Sequence, residues 1–167
     1  MIIAALAAFF AVAVLVAVFS VAVCYPQKYK AEIEEACERF DLSESLVRAV
    51  IKTESGYKSA AQSGAGAVGL MQLMPSTAKS TAERLGDVSL CEDLTNPRAN
   101  ILLGTAHLAY LLKKYALPDA LAAYNAGEGN LLKWKAEGVD DYPFKETRDY
   151  VQKVLSAAKV YRRLCGA

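Results

Sequence analysis

Beyond Tyr25, apolar residues recur every three or four positions, and no run of alternating β-branched residues is long enough to argue for a sheet. That period predicts a helical protein. In residues 43–56, Leu46, Val47, Val50 and Ile51 form one apolar stripe, and Glu54 falls on the same face, three residues after Ile51 and four after Val50. Residues 28–40 place Ile33, Ala36, Cys37 and Phe40 on one side of another helix, and Asp41 and Glu44 have capping-box spacing for its successor. Pro75 can open a helix through Leu85, and Asn96-Pro97 reads as an N-cap followed by proline in the first helical turn. That helix carries Ile101, Leu102, Thr105, Leu108, Leu111 and Leu112 at helical spacing. Pro118 opens a small-residue helix that Gly127 ends, and a last helix over 146–164 turns Val151, Val154, Leu155 and Ala158 inward. There is no internal repeat.

The N-terminal pattern is different. Residues 1–23 contain no charged side chain, and only Ser20 is polar. At about 1.5 Å per residue the run is long enough for a hydrocarbon core of roughly 30 Å. No Lys or Arg precedes it, which disfavours a secretory signal, although Ser20-Val21-Ala22 could pass for a cleavage site. The expectation is two parts: a transmembrane anchor over 1–24 and one compact all-α domain over 25–167. Lys28 and Lys30 follow the run, so a bare positive-inside count would keep the domain in the cytoplasm.

Composition narrows the chemistry. With 19 basic and 18 acidic residues the net charge is +1, which argues against a nucleic-acid surface and against acidic tails. Cys24, Cys37, Cys91 and Cys165 lie far apart and His107 is the only histidine, so no metal site is expected. Cys37 with Cys91 could pair outside the cell, but incidental thiols fit as well. His107, slightly off its stripe, reads as a surface or packing residue.

Glu54 is the residue with chemical promise. Gly56 should end its helix, which leaves the carboxyl in the last turn, beside the core and near the negative end of the macrodipole. Both surroundings disfavour ionisation and raise its pKa, as a general acid requires; a Glu leaning out to water at a frayed end is the alternative. Two glycine-dense stretches, 63–72 and 123–130, interrupt the helices where packing does not demand it, and glycine lets backbone approach a ligand closely. Neither has the lysine and hydroxyl residue of a phosphate loop.

Glu54-Ser55, Gly69-Leu70-Met71-Gln72-Leu73-Met74-Pro75-Ser76-Thr77-Ala78, Ala123-Tyr124-Asn125-Ala126-Gly127 and Glu146-Thr147-Arg148-Asp149-Tyr150-Val151 occur in that order. The series resembles the soluble lytic transglycosylase (SLT) family of peptidoglycan-cleaving enzymes, which share the goose-type lysozyme fold. Asn96-Pro97, Asn100-Ile101 and Gly104 also look like the family's segment between its second and third motifs. The resemblance implies a lysozyme-like catalytic domain acting without cofactor on peptidoglycan glycan strands. It also implies that Glu54, the sole catalytic carboxyl, protonates the oxygen between N-acetylmuramic acid and N-acetylglucosamine. Glu54 would then take the proton of the muramic acid 6-hydroxyl as that oxygen closes on C1, leaving a 1,6-anhydro end. Ser55, Gln72, Met74, Tyr124, Asn125, Glu146 and Tyr150 would contact the glycan or shape the groove, with Glu146 ordering the site rather than attacking. Arg148 is assigned no role. A wall substrate places the domain on the extracytoplasmic side of the cell membrane, as a single-pass monomer. The alternatives are a lysozyme-like hydrolase and a non-catalytic peptidoglycan-binding protein.

Overall fold

The computed structural model describes residues 9–16, 19, 23–139 and 141–165. Seven helices form the domain: α1 (Lys30–Phe40), α2 (Glu44–Ser55), α3 (Pro75–Leu85), α4 (Pro97–Leu112), α5 (Leu117–Ala126), α6 (Glu128–Ala136) and α7 (Lys145–Cys165), with a 3₁₀ turn at Val88–Cys91. Among the described residues there is no strand, only isolated bridges pairing Val68 with Gln62 and Leu73. The all-α expectation holds, and most predicted boundaries fall within two residues. No helix among the described residues is long and apolar enough to cross a membrane. Much of the expected anchor lies outside the described residues; its described part is helical, with Phe9, Phe10 and Leu15 exposed.

The termini of α2 and α3 follow from local chemistry. Gly56 ends α2 in the left-handed region at φ 58° and donates its N–H to the Lys52 carbonyl 3.1 Å away. Pro75 starts α3, and Asn96 caps α4 by accepting the Ala99 N–H at 3.1 Å. The capping-box reading of Asp41 is corrected. Asp41 adopts φ 55° and bonds back to the Cys37 carbonyl, so it closes α1, while Ser43 is the N-cap of α2 without a side-chain capping bond. Glu44 instead pairs with the buried Arg48 at 2.8 Å.

Ile33, Val47, Val50, Ile51, Leu108 and Val154 belong to one apolar core with no exposed surface. The most extensive helix contact is α2 on α7, which carries the end of α2 against the first turns of the C-terminal helix. A second, smaller cluster of Leu73, Ala78, Ala82, Leu94 and Leu103 packs under the glycine-dense loop. The four cysteines are free thiols; burial pushes Cys37 up to about 12, so it is an inert apolar residue rather than a reactive one.

Candidate active site

Glu54 occupies the last turn of α2 and is half-buried where α2 meets α7. Its carboxyl is pushed up to about 7, first by burial and further by the negative charge of Glu146, and this outweighs the lowering influence of the Tyr150 hydroxyl. The Tyr150 hydroxyl is buried and has no partner at strict hydrogen-bond geometry, yet it is close enough to the acid to donate to it. A phenol pointed at a half-buried carboxyl can stabilise the ionised form that follows proton donation.

The loop facing Glu54 is held by one buried amide. Asn100 on α4 has no exposed surface; its Oδ1 accepts the Met71 N–H at 2.8 Å, and its Nδ2 donates to the carbonyls of Leu94 at 2.9 Å and Val68 at 3.0 Å. Gly69 sits at φ 86° against this amide, and a Cβ there would run into Asn100 Nδ2 and the Leu94 carbonyl. Gly104 gives similar clearance on α4, where a Cβ would collide with the Met71 side chain. The glycines and the asparagine are therefore one device that presses the loop onto α4. Ser55 completes it from the other side, donating to the carbonyls of Leu70 at 2.8 Å and Ile51 at 3.1 Å.

Two cavities flank this loop. The first, about 560 Å³, is lined by Glu54, Gln72, Asn125, Glu146 and Tyr150 among others. The second, about 390 Å³, includes Met74, Arg84, His107, Tyr110 and Tyr124. Gln72 and Asn125 line both, so the two form one groove across the domain with the acid on one side of the junction. Asn125 is oriented by the Thr147 hydroxyl, which donates to its Oδ1 at 2.9 Å. Gln72 takes φ 46° and donates its amide to the Gly69 carbonyl at 2.9 Å and the Ala61 carbonyl at 3.2 Å.

All the expected site residues except Ser55 thus line the groove. Ser55 is buried and lines neither cavity; its hydroxyl joins the acid's helix to the loop. The Tyr124 hydroxyl donates to the Met71 carbonyl at 2.9 Å, and burial, with the nearby Glu54 charge adding to it, disfavours its phenolate. Met74 is 40% exposed, which makes it groove surface rather than core. Arg148 bonds the Tyr142 and Pro143 carbonyls and pairs with Asp141 at 3.5 Å, in keeping with having no role at the site.

His107, expected as a surface or packing residue, is half-buried and packs on aromatic neighbours. It lines the second cavity beside Tyr124, ring centroids 5.4 Å apart, and burial with the nearby Arg84 charge pushes it down to about 4. Its sequence position, one helical turn before Leu111, gave no sign of this, because the Tyr124 ring comes from another helix. Among the described residues no group of side chains could hold a metal ion.

The profile of the transglycosylase SLT domain matches residues 31–143. The chain belongs to that family. It is 35% identical over 139 residues to the soluble lytic murein transglycosylase of Salmonella typhimurium, covering 75% of this chain and 22% of that protein. It is 32% identical over 169 residues to the membrane-bound lytic murein transglycosylase C of Serratia proteamaculans, covering 81% and 47%. An inactive mutant of lytic transglycosylase Slt from Pseudomonas aeruginosa superposes with a TM-score of 0.81 at 35% identity, covering 88% of this chain and 26% of that one. The chain thus spans about a quarter of the length of its soluble SLT relatives.

Proposed function

We propose that this SLT-family chain is a lytic transglycosylase that cleaves the β-1,4 bond between N-acetylmuramic acid and N-acetylglucosamine without consuming water. The supporting observation is Glu54, a half-buried carboxyl whose pKa is raised to about 7, lining a cavity of about 560 Å³. Near neutral pH a large share of such groups carries the proton, so Glu54 can donate it to the glycosidic oxygen as the bond to C1 breaks. The ionised carboxylate then accepts the proton of the muramic acid 6-hydroxyl while that oxygen bonds to C1. One proton leaves the protein and one returns. The attacking hydroxyl is already part of the substrate, so its effective concentration is high and no second protein acid is needed to activate water. Asn125 and Gln72 at the junction contact the sugars next to the scissile bond, Met74 supplies an apolar face, and Tyr150 steadies the carboxylate. Glu146 acts on Glu54 through its charge.

Residues 1–24 act as a single-span anchor and 25–167 as the catalytic domain, displayed monomerically on the extracytoplasmic face where the wall lies. Protease treatment of intact cells tests that orientation: the domain is cut if it faces outward and spared if it faces the cytoplasm. The exposed Phe9, Phe10 and Leu15 and the membrane-bound relative support the tether. Purified protein should release soluble muropeptides from peptidoglycan, and Glu54→Gln should abolish release; a variant that still releases them would remove Glu54 from the role of acid. One observation favours a second reading. Glu146 and Asp149 line the same cavity as Glu54, so a second carboxyl is at hand for a lysozyme-like hydrolysis. Glu146 is exposed, however, and its neighbour Asp149 is already paired with Lys145 at 2.5 Å.

A further inference from the structure

The segment between the expected anchor and α1 is not a free linker. Residues 25–29 are irregular backbone, yet α2, α7 and Tyr57 hold them from several sides. Tyr25 meets Tyr161 of α7 edge-on, with ring centroids 5.3 Å apart, and the Lys52 ammonium lies 4.7 Å from the Tyr25 ring centroid. The fully buried Tyr161 also donates its hydroxyl to the Pro26 carbonyl at 3.2 Å. Arg48, buried as well, donates through Nη1 to the Lys28 carbonyl at 3.5 Å, and Tyr29 stacks on the buried Tyr57 with ring centroids 6.5 Å apart. Tyr29 takes φ 55°, a left-handed conformation that a bulky residue keeps only where its surroundings impose it. Its carbonyl accepts the Ile33 N–H at 3.0 Å and so opens α1.

This docking sets where the groove lies. Lys52 precedes Glu54 by two residues on α2, about 3 Å of helix rise, so the Tyr25 ring is within roughly 15 Å of the acid's backbone. The cavity lined by Tyr25 shares Thr53 with the cavity that holds Glu54. On the other side, the apolar run reaches Val23, and only Cys24 separates it from Tyr25. A free strap lets a tethered domain turn in every direction. A strap pinned at Tyr25 leaves no such slack, and tyrosine is a residue that settles at the headgroup layer.

Resting on the proposed single-span anchor, we infer that the face of the domain around Tyr25, Gln27 and Lys28 seats on the bilayer surface. The partner is the lipid headgroup layer, and the docked strap holds the domain in one attitude on it. Gln27 and Lys28 are exposed, and the lysine suits anionic headgroups. The acid's end of the groove then stays within roughly 20 Å of the headgroups, so the enzyme works on glycan lying along the membrane.

The test places the full chain in vesicles of phosphatidylcholine and phosphatidylglycerol that carry an energy-transfer acceptor on their headgroups. Cys24→Ser, Cys91→Ser and Cys165→Ser remove the accessible thiols, and the buried Cys37 stays. A donor dye is attached at Ser156→Cys, beside Tyr25, or at Val88→Cys, on the 3₁₀ turn packed against α3 and α4. A domain of this size is roughly 35 Å across, enough for transfer to differ several-fold between its ends. Transfer should be several-fold stronger from the label at Ser156 than from the label at Val88. A flexible Gly-Ser insertion after Cys24, or Tyr25→Ala, should bring the two toward equality. Equal transfer in the parent chain, or a ratio that neither change alters, would overturn the inference. Flotation with the vesicles tests the anchor separately. A chain left in the soluble fraction removes the anchor reading and this inference with it, whereas a chain that floats with equal transfer removes the fixed attitude alone.

Discussion

Replacing Glu54 by Gln should remove activity and, at alkaline pH, make the protein more stable. A carboxyl whose pKa rises from 4.5 in the unfolded chain to about 7 in the fold opposes folding once it must ionise. Below pH 4.5 both states hold the proton and the residue is neutral to stability. Between 4.5 and about 7 the unfolded chain has lost the proton and the folded one keeps it, so stability falls as pH rises. Above about 7 both are ionised and the full cost is present, about 3 kcal/mol at 1.36 kcal/mol per pH unit. Glutamine has nearly the same shape and does not ionise. Urea unfolding of the full chain in a mild non-ionic detergent, followed by circular dichroism at intervals from pH 4 to 9, measures the difference. Glu54→Gln should match wild type near pH 4, and the gap should open between pH 4.5 and 7 to about 2–3 kcal/mol in favour of the variant. A gap that does not change with pH would refute the burial argument, because a solvated carboxyl in a frayed last turn gives no such dependence.

Three other outcomes follow from the same geometry. Glu146→Gln removes the like charge that helps raise Glu54, so the alkaline limb of kcat/KM against pH should move to lower pH; an unmoved limb would mean that the two carboxyls do not sense each other. Asn100→Ala strands the Met71 N–H and the Leu94 and Val68 carbonyls in a buried site and should cost about 2–4 kcal/mol of unfolding free energy; a change under about 1 kcal/mol by denaturant titration would show that the loop does not depend on it. Gly104→Ala puts a methyl group into the Met71 side chain and should lower activity more than its stability loss explains, measured by kcat/KM at a temperature where the variant is fully folded.

The catalytic half of this account was legible in the sequence because it is local. Glu54 shares a face with Val50 and Ile51, and Gly56 must terminate the helix; both need only the period of the helix and the conformational freedom of glycine. Helix α6 was not anticipated. It contains only two buried residues, Leu131 and Trp134, and begins directly after Gly127, so neither a long stripe nor a linker announced it. Its first turn is fixed from afar, by Lys114 and Tyr115 bonding Glu128. Asn100 and Gly104 could be recognised as parts of a family segment, but the reason for them lies some thirty residues earlier in the chain, in the Val68 and Met71 backbone for Asn100 and the Met71 side chain for Gly104. The bonding of Ser55 was hidden for a related reason. Standing next to the acid in sequence, it turns on the helix to the Leu70 carbonyl and away from the groove. Capping-box spacing at Asp41 was outweighed by the left-handed turn that closes the preceding helix.

Digestion of defined peptidoglycan in water enriched in heavy oxygen, with mass analysis of the new muramyl ends, asks whether one proton shuttle and a substrate hydroxyl suffice. The account predicts anhydro ends, one water lighter than hydrolysed ones and free of the label. Labelled reducing ends as the main product would mean that Glu146 or another acid activates water, and the central claim would fall.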